Sequence, residues 1–125
     1  MEKQKTVLAI DDNLMLLDMM QKMLSQNYKV VTVTSASHAL YYLNSSEADI
    51  ILLDIEMPNI SGFDFLADIR RIPSYMNVPI IIVSGNSGQE FLTQARNSSA
   101  FDVLSKPVKR EVLINTIEKA LSAAK

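Results

Sequence analysis

No cysteine occurs in the 125 residues, so a disulfide scaffold and a thiolate metal site are both excluded. The single histidine, His38, sits in a helical stretch of polar character and reads as a surface residue rather than a catalyst. No apolar run approaches the length of a membrane span, and Met1-Glu2-Lys3-Gln4-Lys5 is polar and leads straight into a strand, unlike a signal peptide. Excess charge is also lacking. A formal net charge of −2 gives no support to a nucleic-acid-binding surface. Internal repeats, low-complexity segments and linkers are absent as well. With 48% apolar and 21% charged residues, the balance is that of an ordinary globular protein. The length suits one domain over residues 1–125 with a real core, and the cytoplasm is its default location.

What is present centres on Ile50-Ile51-Leu52-Leu53-Asp54-Ile55-Glu56-Met57-Pro58. The apolar run is too short for an ordinary helix and reads as a strand buried on both faces, the mark of a parallel sheet covered by helices. Asp54 ends that strand, where open α/β sheets place their ligand sites. Met57-Pro58 then stops regular structure. A strand-end or helix-capping role is the plain alternative for Asp54.

Along the chain, Thr6–Ile10 is another short apolar run, ending in Asp11-Asp12. Asn13 precedes a helix whose Leu16, Met19, Met20, Met23 and Leu24 form an apolar stripe, leaving Leu14, Met15 and Leu17 off it as a candidate docking patch. Lys29–Val33 reads as a strand, and Ser35 or Ser37 caps a helix bearing Ala39, Leu40 and Leu43. Ser61-Gly62-Phe63-Asp64 opens a helix with Phe63, Leu66 and Ile69 inward. Residues 73–79 form a loop, and Ile80-Ile81-Ile82-Val83 is a buried strand ending in Ser84-Gly85. A short helix over Gln89–Arg96 follows, then a strand over Phe101–Ser105 that ends in Lys106-Pro107. The last helix buries Leu113, Ile117 and Leu121. Tyr41, Tyr42 and the methionines read as core or half-buried packing. Strands alternating with helices predict an α/β, doubly wound parallel sheet.

The strand ends carry complementary chemistry: Asp11 and Asp12, Asp54, Ser84, and Lys106. In a parallel sheet these ends share one edge and can converge. Clustered carboxylates repel unless a cation intervenes, and an oxygen-only donor set favours a hard ion, Mg²⁺ in a cell. A carboxylate nucleophile, a divalent cation, an ammonium and a hydroxyl together make a phosphoryl-transfer site in which Asp54 becomes an acyl phosphate. Each feature has a plainer counterpart: Asp11-Asp12 as helix caps, Ser84-Gly85 as a turn, Lys106-Pro107 as a solvated turn.

Taken together these motifs resemble the receiver domain of two-component response regulators over essentially the whole chain. Asp11-Asp12 is similar to the family's acidic pair, and Leu53-Asp54-Ile55-Glu56-Met57-Pro58 with Gly62-Phe63-Asp64 to its phosphoacceptor strand and following turn. Val83-Ser84-Gly85 and Lys106-Pro107 are similar to its hydroxyl and lysine motifs. The resemblance implies a flavodoxin-like (βα)5 fold with strand order 2-1-3-4-5. It implies that Asp54 accepts a phosphoryl group from a sensor histidine kinase or a histidine phosphotransfer protein. Asp11, Asp12, Asp54 and the Glu56 backbone carbonyl would serve Mg²⁺ (or Mn²⁺), Asp11 through water. Ser84 and Lys106 would bind the phosphoryl oxygens, and the Lys106–Pro107 bond would be cis. Such a domain is no enzyme but assists its own phosphorylation and dephosphorylation, shifts conformation to control an output, and can form a homodimer on phosphorylation. Two positions depart from the family pattern: Val103 stands where a switch aromatic is common, and Ser99-Ala100 where Gly-Ala is usual. Phe101, two residues before Val103, is the nearest aromatic that could replace the switch.

Two other classes compete. An aspartyl-phosphate phosphatase or phosphotransferase also forms an acyl phosphate, but it needs a nucleophile after the first strand and a substrate cap, and neither is evident. A phosphorylation-independent interaction module would be marked by loss of an acidic residue or the lysine, and all are here.

Overall fold

The computed structural model describes residues 4–124. Five strands, β1 (Thr6–Ile10), β2 (Lys29–Val33), β3 (Ile50–Leu53), β4 (Ile80–Ser84) and β5 (Asp102–Ser105), alternate with five helices. The helices are α1 (Leu14–Leu24), α2 (Ala36–Ser45), α3 (Gly62–Arg70), α4 (Gln89–Arg96) and α5 (Arg110–Ala123). All strand pairings are parallel, in the order β2-β1-β3-β4-β5. This is the flavodoxin-like doubly wound arrangement expected from the resemblance.

Alternation along the strands builds two cores. Leu8, Ile10, Ile51, Leu53, Ile80 and Ile82 face α2, α3 and α4, while Val7, Ala9, Ile50, Leu52, Ile81 and Val83 face α1 and α5. β1, β3 and β4 are buried throughout, which is why their sequences are continuous aliphatic runs rather than alternating ones. Side-chain caps set three helix starts: Asn13 accepts from Leu16 N, Ser35 from His38 N, and Ser61 from Asp64 N. Ser35, not Ser37, therefore caps α2. His38 is exposed.

Several packing expectations change. Leu17 is buried with Met20 and Leu24, whereas Met19 is exposed with Leu14 and Met15. In α3 it is Phe65 that is buried beside Leu66 and Ile69, with Phe63 half-buried. α5 buries Ala120, and Leu121 is half-buried. Tyr41, Met15, Met19 and Met76 are exposed rather than core. Residues 73–79 contain a short 3₁₀ turn over Pro73–Tyr75. Arg70, at the end of α3, donates to the Tyr75 carbonyl (3.0 Å), the Val78 carbonyl, and the Ser99 hydroxyl and carbonyl (2.9 Å each), tying this loop to the one before β5. Phe101 precedes β5 and donates its N–H to the Ile80 carbonyl, at the edge of the sheet opposite the strand carboxyl ends. Among the described residues, no helix is long and apolar enough to cross a membrane.

Candidate phosphoryl-transfer site

The backbone puts the site together strand by strand. Asp11 N–H donates to the Val33 carbonyl at 3.2 Å, Asp54 N–H to Ile10 at 2.9 Å, and Lys106 N–H to Ser84 at 2.8 Å. Each site residue thus continues its strand's ladder by one bond before the chain turns away. Because Asn13 caps α1, Asp12 is not used as its cap. Asp11 Oδ1 accepts from Asn13 N at 2.9 Å, which leaves its Oδ2 directed elsewhere.

Asp11 and Asp54 are buried, and Asp12 is exposed at the rim. One carboxylate oxygen from each of the three lies within 4.8 Å of the others. Lys106 places its ammonium 3.0 Å from Asp11 Oδ2 and 3.5 Å from Asp54 Oδ2. Asp54 Oδ1 accepts from the Glu56 amide at 3.0 Å, so the turn after β3 orients the carboxylate. Burial pushes the Asp54 carboxyl above its ordinary range. The Glu56 amide and Lys106 pull it down and Asp11 pushes it up further, with the rise winning. For Lys106 burial works against the charge, but its contacts with Asp11 and Asp54 outweigh that and raise its pKa.

The residues present suit a hard cation. The donors are all oxygen, they converge from two strand ends, and the buried Asp11 Oδ2 has no well-oriented hydrogen-bond partner besides its ion pair with Lys106.

Ser84 closes the site from β4. It is fully buried, and its hydroxyl donates to Glu56 Oε1 at 2.8 Å while accepting from Asn86 N at 3.0 Å. The Lys106–Pro107 peptide is cis. The turn beyond Asp54 is held by close packing: a Cβ on Gly62 would fall 2.2 Å from the Ile55 carbonyl oxygen, and Asn59 takes the left-handed conformation there with φ of 68°. All six residues singled out in the sequence therefore lie at one edge. Sequence reasoning misses the Glu56 side chain, because the resemblance gives a role to its backbone carbonyl alone. A contact between side chains 28 residues apart leaves no local pattern to read.

Residues 7–118 match the family model described as the response regulator receiver domain. The chain belongs to that family. This receiver domain is a phosphoacceptor module of two-component signalling, whose members receive phosphoryl groups from histidine kinases and use Mg²⁺. It is 33% identical, over 91% of its length, to the CAI-1 autoinducer sensor kinase/phosphatase CqsS of Vibrio cholerae. It is 30% identical, over 98% of its length, to the hydrogenase transcriptional regulatory protein HoxA of Cupriavidus necator. The chain spans 17% and 25% of the lengths of these two relatives. Among solved structures it is similar to the receiver domain of the sensor histidine kinase PA1611 of Pseudomonas aeruginosa. The two share 26% identity and a TM-score of 0.86, over 96% of this chain and 99% of that one. That structure has a magnesium ion coordinated in its active site cleft.

Proposed function

We propose that residues 1–125 form one receiver domain in which Asp54 is the phosphoacceptor, its donor the phosphohistidine of a sensor histidine kinase or a histidine phosphotransfer protein. The observation that carries this reading is the setting of Asp54. Its carboxylate is buried at the carboxyl end of β3, with one oxygen on the Glu56 amide and the other 3.5 Å from Lys106 Nζ. Asp54 Oδ2 attacks phosphorus, the bond to the donor imidazole nitrogen breaks with its electron pair going to that nitrogen, and an acyl phosphate forms. Asp11, Asp12, Asp54 and the Glu56 backbone carbonyl would hold Mg²⁺, which supplies charge neutralisation at the transferring oxygens when bound. Lys106 leaves its carboxylate partners for a phosphoryl oxygen, and the Ser84 hydroxyl donates to another.

The domain takes one phosphoryl group per chain and does not turn over a substrate. Its output, a cytoplasmic location and pairing of phosphorylated copies are parts of the same proposal. The test is labelling by a small phosphodonor with Mg²⁺. One acid-labile phosphate should be incorporated per chain, and none in Asp54→Asn. Labelling of that variant to the same level would overturn the assignment, and sustained hydrolysis of phosphorylated metabolites would favour an aspartyl-phosphate phosphatase instead.

A further inference from the structure

The Ser84 hydroxyl has one proton to give, and it is already committed. The proton goes to the Glu56 carboxylate at 2.8 Å, an O–H to carboxylate bond of the charge-assisted kind. Ser84 is fully buried with Glu56 in place, so its hydroxyl relies on that protein acceptor. Resting on the assignment of Asp54 as phosphoacceptor, we infer that the Glu56 carboxylate is a positioning residue: it latches the Ser84 hydroxyl in the unphosphorylated domain and competes with the phosphoryl group for its proton.

Three features make this a latch rather than an incidental contact. Glu56 is exposed, so its carboxylate has solvent to move into once displaced. Its backbone N–H holds Asp54 Oδ1 at 3.0 Å, which keeps nucleophile and latch on one short turn. An incoming phosphoryl group is anionic and repels the carboxylate while offering the hydroxyl a better acceptor. The contact also leads onward. Ser84 Oγ accepts from Asn86 N at 3.0 Å, and Asn86 Oδ1 accepts from Gly88 N at 2.8 Å. Gly88 is the N-cap of α4, a helix with no side-chain cap of its own. Rotation of the hydroxyl away from Glu56 therefore disturbs a hydrogen-bonded chain that ends at the first turn of α4.

The probe is beryllofluoride, an acyl-phosphate mimic, titrated with Mg²⁺ while the amide signals of Asn86 and Gly88 are followed by NMR. Glu56→Asp keeps the charge but is one methylene too short to reach Ser84. It and Glu56→Ala should both bind the mimic about tenfold more tightly than the native chain, the size expected for losing a hydrogen bond to a charged group. Glu56→Gln, a neutral acceptor of full length, should fall between. In a Ser84→Ala background the gain should shrink to less than about twofold, since no proton remains to compete for. Unchanged affinity in Glu56→Asp would overturn the latch. So would an equal gain from Glu56→Ala with and without Ser84, because Glu56 would then act through charge alone. Failure of the native chain to bind the mimic, or undiminished binding by Asp54→Asn, would overturn the phosphoacceptor assignment and the latch with it.

Discussion

Lys106, at the end of β5, places its ammonium 3.0 Å from Oδ2 of Asp11 at the end of β1, although β3 and β4 lie between those strands. Among the described residues this one cation offsets two buried carboxylates, Asp11 and Asp54. Removing it leaves both unpaired. Lys106→Ala should lower stability to urea by about 1–3 kcal/mol, less than for a fully buried pair because the lysine is itself partly exposed. Mg²⁺ should then stabilise the variant more than the native chain, since the ion no longer competes with an ammonium. Equal stabilisation of the two by Mg²⁺ would argue against a shared site.

The pH dependence follows from the directions of the two shifts. Asp54 has its pKa raised on folding. The stability it contributes is fully present below its unfolded value and is lost as pH rises through the folded one. Ionising Asp54 is therefore costlier in the folded chain than in the unfolded one, a cost that Asp54→Asn lacks. In metal-free buffer the variant should melt higher at about pH 7, with the difference narrowing as pH falls toward about pH 4. Lys106 is also raised, so its contribution is intact below the ordinary lysine value and is lost only in alkali. A melting difference that widens toward acid would contradict the Asp54 shift.

On α1 the packing separates two residues that looked alike in the sequence. Leu17 is 3% exposed and Met15 78%. Leu17→Ala should cost about 2–5 kcal/mol as a cavity in the core. Met15→Glu should change stability by no more than about 0.5 kcal/mol and yet slow transfer from a phosphohistidine donor, with labelling by a small phosphodonor unaffected. Loss with both donors would place Met15 in the chemistry rather than in docking.

Leu17 escapes a reading by periodicity for a physical reason. Leu14, Met15, Leu16, Leu17, Met19, Met20, Met23 and Leu24 make α1 apolar on most of its circumference, so periodicity cannot set its phase. The sheet does. Phe63 and Phe65 pose the same ambiguity in α3. The buried strands, by contrast, were legible because aliphatic runs such as Ile50–Leu53 admit no other placement in a protein of this kind. The site was legible because each of its residues follows such a run directly. The Glu56 to Ser84 bond was not, since it depends on rotamers chosen in the folded chain.

Gly62 tests the turn that holds Asp54. A Cβ there would sit 2.2 Å from the Ile55 carbonyl oxygen and 2.6 Å from its Cα, both rigid backbone atoms. Gly62→Ala should cost about 1–3 kcal/mol as overpacking and should also slow small-donor labelling, because the displaced segment carries Asp54 and the Glu56 amide. Full activity in a destabilised variant would confine the glycine's role to packing.

Phe101 was the aromatic best placed in the sequence to stand in for the switch residue missing at Val103. The structure argues against it. Phe101 lies outside β5, is 41% exposed, and lines a shallow groove with Met76, Pro79 and Ala123. By strand rise it is about 13 Å from the level of Ser84. Val103 is half-buried on the face of the sheet that carries α4, and it is too short to swing. The helix that follows the Ser84 loop carries an aromatic pair of its own, Phe91 of α4 with Phe63 of α3, ring centroids 5.9 Å apart. Beryllofluoride with Mg²⁺ should therefore shift the NMR signals of Asn86, Gly88 and the Phe91 ring and leave the Phe101 ring unchanged. Phe101→Ala should bind the mimic within about twofold of the native chain, as expected of an exposed residue away from the site. A large Phe101 shift on binding would restore it as the relay, and a silent Phe91 would confine the response to the Ser84 loop.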